Sequence, residues 1–393
     1  MSALPDSEFS APRAHDFARL LPPAVAVGAV LLGSYWRLLN VETALLFGDE
    51  FHSLRDLAMG YRHVFTNFSS TGSGMALPII QRILGDLWGL NHWTIRIPAL
   101  LGGIATLASV YPIARRWTGE SAAAVATLLV ASCPLLIFYS HFGRSYTLVA
   151  WLCLLLLLLL QRIVDGERAS LARCAGCALL TAVLPYVQPI SLGFVLPVFG
   201  GAAIALWMEA PRRREAVAVV LALAAGGLAC LLIHLPAWAS LSQYLSFATT
   251  WDYFGDFGFW DVAALMAGSR WGAVVALALL LLALGAMLAR YRLRRLPLVL
   301  GCLGPCLAVA VVRPFGDPYA FARYAIPSLP FACIAIGWLA AVAVRRAIAQ
   351  SPAREIGALA LGAVLAALLF ASGPYGVRHT ADGPHANTYI TMF

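Results

Sequence analysis

The chain has 393 residues, of which 61% are hydrophobic and only 12% are charged, whereas a typical soluble domain is about 45–50% apolar and about 25% charged. Its mean hydropathy is +0.80. This composition excludes a soluble globular protein, a disordered chain, a collagen-like fibre and a small disulfide scaffold. The formal charge is +8, and all 27 basic residues are arginines, but they form no stripe that would track a nucleic-acid backbone. The composition therefore indicates a multi-pass membrane protein.

Apolar runs of about 20 residues recur about eleven times along the chain, and each is long enough to cross a bilayer as a helix. We therefore predict an all-α, polytopic membrane fold of about eleven transmembrane helices. The runs lie near residues 21–41, 97–114, 121–140, 146–163, 171–187, 189–208, 216–234, 271–289, 296–312, 325–344 and 356–372. On this basis residues 1–20 form a cytoplasmic leader, residues 21–372 the transmembrane domain and residues 373–393 a short outer tail.

The arginines between the runs predict the orientation of the chain, because short cytoplasmic loops are enriched in basic residues. Every second connection is rich in arginine, as at residues 212–214. Arginine in place of lysine, with abundant alanine, leucine and glycine, is typical of GC-rich bacterial genomes. We therefore expect a bacterial cytoplasmic (inner) membrane, a cytoplasmic amino terminus and three longer outer segments, at residues 42–96, 235–270 and 313–324. An amphipathic stretch in the first of them is expected to lie in the membrane interface.

An acidic pair stands directly after the first apolar run. Asp49 and Glu50 are expected to face water close to the low-dielectric membrane surface, which can raise the pKa of one carboxylate towards that of a useful general base. An ordinary polar loop, or Asp49 capping a helix that begins at Glu50, explains the pair equally well from the residues alone. His52 and His63 add candidate ligands for a divalent ion, but their spacing matches no strong metal signature.

Two predicted outer segments carry arginine against the usual charge rule. Residues 143–146 (GRSY) join the third and fourth runs, and Arg323 with Tyr324 opens the tenth. A guanidinium group can pair with a phosphate through two parallel donors, although snorkelling towards lipid headgroups also explains a single arginine. The middles of the runs carry essentially no ionisable residue, which argues against an ion-coupled transporter.

The order of these motifs resembles that of the GT-C membrane glycosyltransferases, specifically bacterial family-39-like proteins related to protein O-mannosyltransferases and the lipid A aminoarabinose transferase. The shared pattern comprises the acidic pair, a long outer loop with interfacial helices, R-x-P-A-x-x-G-x-x-A from Arg96 to Ala105, S-x-P-x-x-x-x-Y-S from Ser132 to Ser140, and then GRSY. The resemblance is clearest over residues 40–165. The sequence departs from the family at residues 74–78 (GMALP), where a motif proline stands without the usual histidine.

The resemblance implies an inverting glycosyltransferase. Such an enzyme moves a sugar from a polyprenyl-phosphate donor to a hydroxyl of an acceptor protein, glycolipid or polysaccharide at the outer membrane face. Asp49 would be the catalytic base, Glu50 would orient substrate or base, and His52 and Arg96 would line the site. The donor phosphate would be held by two arginines and two tyrosines: Arg144, Arg323, Tyr146 and Tyr324. This chemistry requires no cofactor, although a divalent metal stays open as an addition.

Two other functions stay open at the level of the sequence. One is a transporter or flippase that moves a lipid-linked sugar and uses the outer arginines only to bind phosphate. The other is a non-catalytic membrane scaffold, which would tolerate loss of Asp49, Glu50 and Arg144 together. The acidic pair at the end of the first run favours catalysis over both.

Overall fold

The computed structural model describes residues 14–39, 41–42, 49–68, 74–248, 270–312, 322–349 and 351–371. These residues are almost entirely helical and include no strand, which confirms the predicted all-α fold. The predicted second and third outer segments lie largely outside the described residues.

Sixteen α-helices lie in the described ranges. They are α1 (Ala14–Leu38), α2 (Asp49–Ala58), α3 (Tyr61–Thr66), α4 (Ala76–Trp88), α5 (His92–Thr118), α6 (Glu120–Ser132), α7 (Pro134–His141), α8 (Tyr146–Val164), α9 (Leu171–Val187), α10 (Leu192–Trp207), α11 (Arg213–His234), α12 (Trp238–Ala248), α13 (Arg270–Tyr291), α14 (Leu296–Val312), α15 (Leu329–Ala347) and α16 (Ser351–Ala371). Each predicted apolar run coincides with one of these helices, or with the pair α6 and α7.

The chain is a multi-pass membrane protein, but the predicted number of about eleven spans is not confirmed. By length and hydropathy, eight helical stretches in the described ranges can cross a membrane, or nine if the bent pair α6–α7 is one span. α9 is apolar but shorter than 18 residues, and the apolar stretch Trp271–Pro305 runs through both α13 and the start of α14.

The predicted first outer loop, residues 42–96, folds largely into the short helices α2, α3 and α4. The amphipathic stretch predicted there is mostly α4, which packs on α5 and exposes Trp88 at its carboxyl end. Trp93, in the first turn of α5, donates a hydrogen bond from Nε1 to Glu42 Oε1 at 2.7 Å. The loop is therefore built onto the bundle rather than extended away from it.

The alanine-rich helix α6 lies at the centre of the bundle and packs against α1, α5, α15 and α16. Residues 122–126 of α6 are completely buried. Small side chains let helix backbones approach closely, and this favours helix association in membranes. At Gly337 of α15, an added Cβ atom would lie only 2.8 Å from the Ala122 carbonyl oxygen, so this contact requires a glycine.

A bend of 52° separates α6 from α7. Pro134 occupies the first turn of α7, where its missing N–H costs no hydrogen bond, and it keeps Cys133 in an extended conformation. Arg37 of α1 is fully buried and donates from Nη2 to the Val130 carbonyl at 3.0 Å and from Nη1 to the Ala131 carbonyl at 3.5 Å. A cation at a helix carboxyl terminus is stabilising. Arg37 therefore holds the bend that leads into the GRSY segment.

The R-x-P-A-x-x-G-x-x-A motif forms the contact between α5 and the start of α8. Thr147 Oγ1 donates to the Ala99 carbonyl oxygen at 2.6 Å. An added Cβ atom at Gly102 would lie 2.5 Å from the backbone nitrogen of Leu148. The glycine of the motif, Gly102, is thus explained by helix packing.

We expect Gly102→Ala to lower the free energy of unfolding by about 1–3 kcal/mol, because a backbone must move to admit the methyl group. Gly28→Ala is the matched control, since an added Cβ at Gly28 of α1 meets no atom within 4 Å. That change should be neutral or stabilising by up to about 1 kcal/mol, because alanine favours helix. Thermal unfolding of both variants in detergent is the measurement, and equal midpoints would contradict the close approach of α5 and α8.

Several connections between helices that carry arginine lie together at one end of the bundle, here called the arginine-rich end. Arg295 pairs there with Asp165, which joins the α13–α14 connection to the end of α8. Arg212 donates to the Ile163 carbonyl oxygen at 2.5 Å. This bond places the α10–α11 connection at the same end of the bundle. The opposite end, here called the loop end, carries α2–α4, the α7–α8 connection and the α9–α10 connection.

Candidate functional site

The predicted site residues lie at the loop end. Asp49 is the first residue of α2, so its backbone stands at a helix amino terminus, where negative charge is stabilised. The helix begins at Asp49 itself, one residue before the start that the capping alternative assumed. The side chains of four predicted site residues lie outside the described part of the chain: Asp49, His52, Arg323 and Tyr324.

Glu50 forms a bidentate ion pair with Arg96 of α5. Arg96 donates from Nε to Oε1 and from Nη2 to Oε2, both at 3.0 Å, and neither side chain has exposed surface. Arg96 also donates from Nη1 to the Val41 carbonyl oxygen at 2.9 Å. The Gly143 N–H donates to Glu50 Oε1 at 2.8 Å. Arg96 is thus the buried ion-pair partner of Glu50. Glu50 in turn connects α2 with α5 and with the GRSY segment.

The GRSY segment is held from a second side by Gln81 of α4. Gln81 is fully buried and donates from Nε2 to the carbonyl oxygens of Ile95 at 2.8 Å and Gly143 at 3.2 Å. An added Cβ atom at Gly143 would lie 2.6 Å from Ile95 Cγ2 and 3.0 Å from Glu50 Oε1. Only a glycine therefore allows the peptide to reach the carboxylate, and α2, α4, α5 and GRSY form one connected unit.

Arg144 and Tyr146 are both almost completely buried at the turn from α7 to α8. The Tyr146 ring packs edge-on against Tyr139, with 5.2 Å between the ring centroids. The short 3₁₀ segment Ala322–Ser328 packs against α7 and α8, which brings the backbone of Arg323 and Tyr324 to the same end. The two predicted phosphate-binding segments therefore lie on neighbouring elements.

His63, a candidate metal ligand, contacts residues of its own loop. Its Nε2 lies 3.6 Å from Asp56 Oδ1, and its Nδ1 lies 2.6 Å from Asn67 Nδ2. Within the described ranges, no group of three or more histidine, cysteine, aspartate or glutamate side chains is arranged to hold a metal ion. His63 therefore belongs to a local polar cluster of the first outer loop.

Two glutamines that organise the loop end were not among the predicted site residues. Gln81 supports the GRSY segment, and Gln188, at the break between α9 and α10, accepts a hydrogen bond from Ser145 Oγ at 3.0 Å. Both are buried. Gln188 stands alone between Val187 and Pro189, and because unpaired polar groups are costly in apolar surroundings, that isolation was the available signal. Gln81 directly precedes Arg82 and gave no such signal.

A family model described as dolichyl-phosphate-mannose-protein mannosyltransferase matches residues 74–240. This range contains α4 to α11, with GRSY and Gln188, and it begins after the acidic pair. A search of curated protein sequences found no significant match.

The fold is similar to that of several solved structures. ArnT from Cupriavidus metallidurans in the apo state is 14% identical, with a TM-score of 0.60 over 92% of this chain and 77% of that one. The same protein bound to undecaprenyl phosphate is 19% identical, with a TM-score of 0.56 over 88% of this chain and 63% of that one. An Archaeoglobus fulgidus oligosaccharyltransferase, tethered with an acceptor peptide, is 16% identical, with a TM-score of 0.54 over 90% of this chain and 55% of that one.

At sequence identities of 14–19%, the similarity to these solved structures establishes the fold alone. The three solved structures are GT-C glycosyltransferases, and the shared fold, with the partial family match, confirms the resemblance that the order of motifs predicted. The protein is therefore a multi-pass membrane protein with the GT-C glycosyltransferase fold, whose residues 74–240 match the dolichyl-phosphate-mannose-protein mannosyltransferase family.

Proposed function

We propose that the protein is an inverting glycosyltransferase that moves a sugar from a polyprenyl-phosphate donor to an acceptor hydroxyl on a protein, glycolipid or polysaccharide. The observation that carries this proposal is the contact of Glu50 with Arg96 and with the Gly143 N–H. This contact ties the backbone that bears Asp49 to the segment that bears Arg144. The similarity to ArnT, which was crystallised with undecaprenyl phosphate, supports a lipid-phosphate donor.

In this proposal Asp49 is the general base. Its carboxylate takes the proton of the acceptor hydroxyl while that oxygen bonds to the anomeric carbon of the sugar. The bond between the anomeric carbon and the phosphate oxygen breaks, the polyprenyl phosphate leaves, and the anomeric configuration inverts. The amino terminus of α2 favours the ionised carboxylate, and Glu50 acts as a positioning residue because its own oxygens are occupied by Arg96 and Gly143.

Two arginines and two tyrosines bind the leaving phosphate in this proposal: Arg144, Arg323, Tyr146 and Tyr324. Negative charge develops on the phosphate as the glycosidic bond breaks. Guanidinium groups held in a site partly shielded from water stabilise that charge without reorganising. The step therefore needs no metal, and a chelator should leave the transfer rate unchanged.

The proposed site faces the outer side of a bacterial cytoplasmic membrane. Because short cytoplasmic loops are enriched in basic residues, the charge pattern supports a cytoplasmic position for the arginine-rich end. The loop end then opens on the other side, where a donor lipid can enter from the bilayer. A lipid-borne donor explains why the sequence shows no Gly-rich nucleotide-binding motif.

The proposal is tested by profiling polyprenyl-phosphate sugars by mass spectrometry in cells that lack the gene. We expect one lipid-linked sugar to accumulate, and we expect wild-type protein to clear it while Asp49→Asn does not. Clearance by both proteins would favour a flippase and would remove Asp49 as the base. An unchanged lipid-linked sugar pool in the deletion strain would contradict the proposed donor.

A further inference from the structure

Gln188 interrupts an apolar segment at the loop end. It separates α9 from a short 3₁₀ helix, Pro189–Ser191, that leads into α10, and its backbone is extended, with φ −161° and ψ 113°. A residue that precedes proline avoids the helical conformation, so Pro189 accounts for the break. Gln188 is only 5% exposed. The break therefore places a buried amide at the end of the bundle that holds the proposed site.

The Gln188 amide has one hydrogen-bond partner among the described residues, Ser145 Oγ, which donates to Oε1 at 3.0 Å. The amide nitrogen has no acceptor within the described part of the chain. Exchanging the amide oxygen and nitrogen would satisfy Ser145 equally well. In that orientation the amide oxygen, rather than the nitrogen, would have no partner. In either orientation one polar atom of the amide can therefore bind a ligand.

Ser191 adds a buried hydroxyl group that is unpaired within the described residues. It is completely buried, and its hydroxyl has no hydrogen-bond partner in the described ranges. Its backbone N–H donates to the Gln188 carbonyl oxygen at 3.0 Å, which keeps the two residues together. Buried polar atoms are nearly always hydrogen-bonded. The Ser191 hydroxyl is such an exception, and the unpaired amide atom of Gln188 lies three residues away, as a site that awaits a ligand would show.

This pair borders the proposed phosphate site. Ser145, the hydrogen-bond partner of Gln188, directly follows Arg144. The Cα atoms of Arg144 and Ser145 therefore lie about 3.8 Å apart. On the other side, the Met75 N–H donates to the carbonyl oxygen of Tyr186 at 2.8 Å, two residues before Gln188. Gln188 thus lies between the GRSY segment and the GMALP segment of the first outer loop.

We propose that Gln188 and Ser191 bind a hydroxyl group of the donor sugar and thereby select it, an inference that rests on the proposed function. Neutral amide and hydroxyl groups complement sugar hydroxyls, which both donate and accept, whereas the charge of the phosphate is matched by the guanidinium of Arg144. A site built to hydrogen-bond a substrate hydroxyl rejects analogues that lack it, because its buried polar groups then stay unpaired.

The test measures dissociation constants of the purified full-length protein for undecaprenyl phosphate and for a panel of undecaprenyl-phosphate hexoses and pentoses. We expect wild type to bind one sugar of the panel more tightly than undecaprenyl phosphate alone. Gln188→Leu should weaken binding of that sugar about tenfold, as expected for the loss of one buried hydrogen bond, and leave the dissociation constant for undecaprenyl phosphate within about twofold. Ser191→Ala should act in the same direction.

Gln161→Leu is the matched control, because Gln161 is a buried glutamine at the arginine-rich end of α8 and bonds to the Arg294 carbonyl oxygen at 2.8 Å. It should leave all the dissociation constants unchanged. If Gln188→Leu does not fold, Gln188→Asn withdraws the amide by one methylene and should show the same selective loss.

Three outcomes would overturn the inference. Equal weakening of sugar-bearing and sugar-free lipid, or no weakening, would mean that Gln188 does not contact the sugar. Tight binding of undecaprenyl phosphate by wild type without preference for any sugar would overturn the sugar site while leaving the phosphate site in place. Failure of wild type to bind either lipid would instead contradict the proposed function itself.

Discussion

Replacing Asp49 with asparagine should lower kcat for sugar transfer about 10²- to 10⁴-fold, which is the usual contribution of a positioned general base. Asparagine has nearly the same shape but cannot accept the acceptor proton. The dissociation constant for undecaprenyl phosphate should stay within about twofold, because Asp49 acts on the acceptor and not on the phosphate. Single-turnover transfer from a polyprenyl-phosphate sugar, together with lipid binding, is the measurement.

Asp86→Asn is the control for this experiment. Asp86 lies on α4 of the same loop and forms a surface ion pair with Arg82 at 3.1 Å. Such pairs contribute only about 0–1 kcal/mol, so we expect transfer to change less than about twofold. If both variants lost transfer to the same extent, the general integrity of the loop would explain the loss, and the assignment of Asp49 as base would fail.

Glu50→Gln should lower the free energy of unfolding by about 3–5 kcal/mol, because it leaves the buried Arg96 guanidinium without its counter-charge. Both side chains have no exposed surface, and two of the hydrogen bonds from Arg96 go to this carboxylate. Transfer should fall as well, since the amide NH2 group now faces the Nη2 donor of Arg96 and displaces the side chain that ties the backbone of Asp49 to Gly143. Denaturant unfolding in detergent and transfer assays on the refolded fraction measure the two effects.

A double replacement separates the structural effect from the functional one. Glu50→Leu combined with Arg96→Met removes both charges, and exchange of a buried ion pair for apolar residues is often neutral or stabilising. We expect the double variant to regain much of the stability that Glu50→Gln loses, but not the transfer rate, because the Gly143 N–H has no acceptor there. Recovery of both stability and full transfer would show that Glu50 has no positioning role.

The helices and the membrane class were predictable from the sequence because their cause is local. In lipid a chain must satisfy its backbone hydrogen bonds within itself, so each long apolar run becomes a helix. The run at residues 171–187 coincides with α9 and that at 296–312 with α14. The GT-C resemblance was likewise predictable, since it depends on motif order, beginning with the pair Asp49 and Glu50.

The contacts that give the site its shape were decided only by the tertiary structure. Glu50 and Arg96 are 46 residues apart, and Ser145 and Gln188 are 43 residues apart. Hydropathy and periodicity report which face of a segment is apolar, but they contain no information on which distant helices become neighbours. The sequence by itself thus determined an all-α membrane protein with an acidic pair shortly after its first apolar run. Only helix packing decided that Glu50 is clamped by Arg96 and Gly143 and that Gln188 lies beside the GRSY segment, because long-range packing selects the partners of buried polar groups.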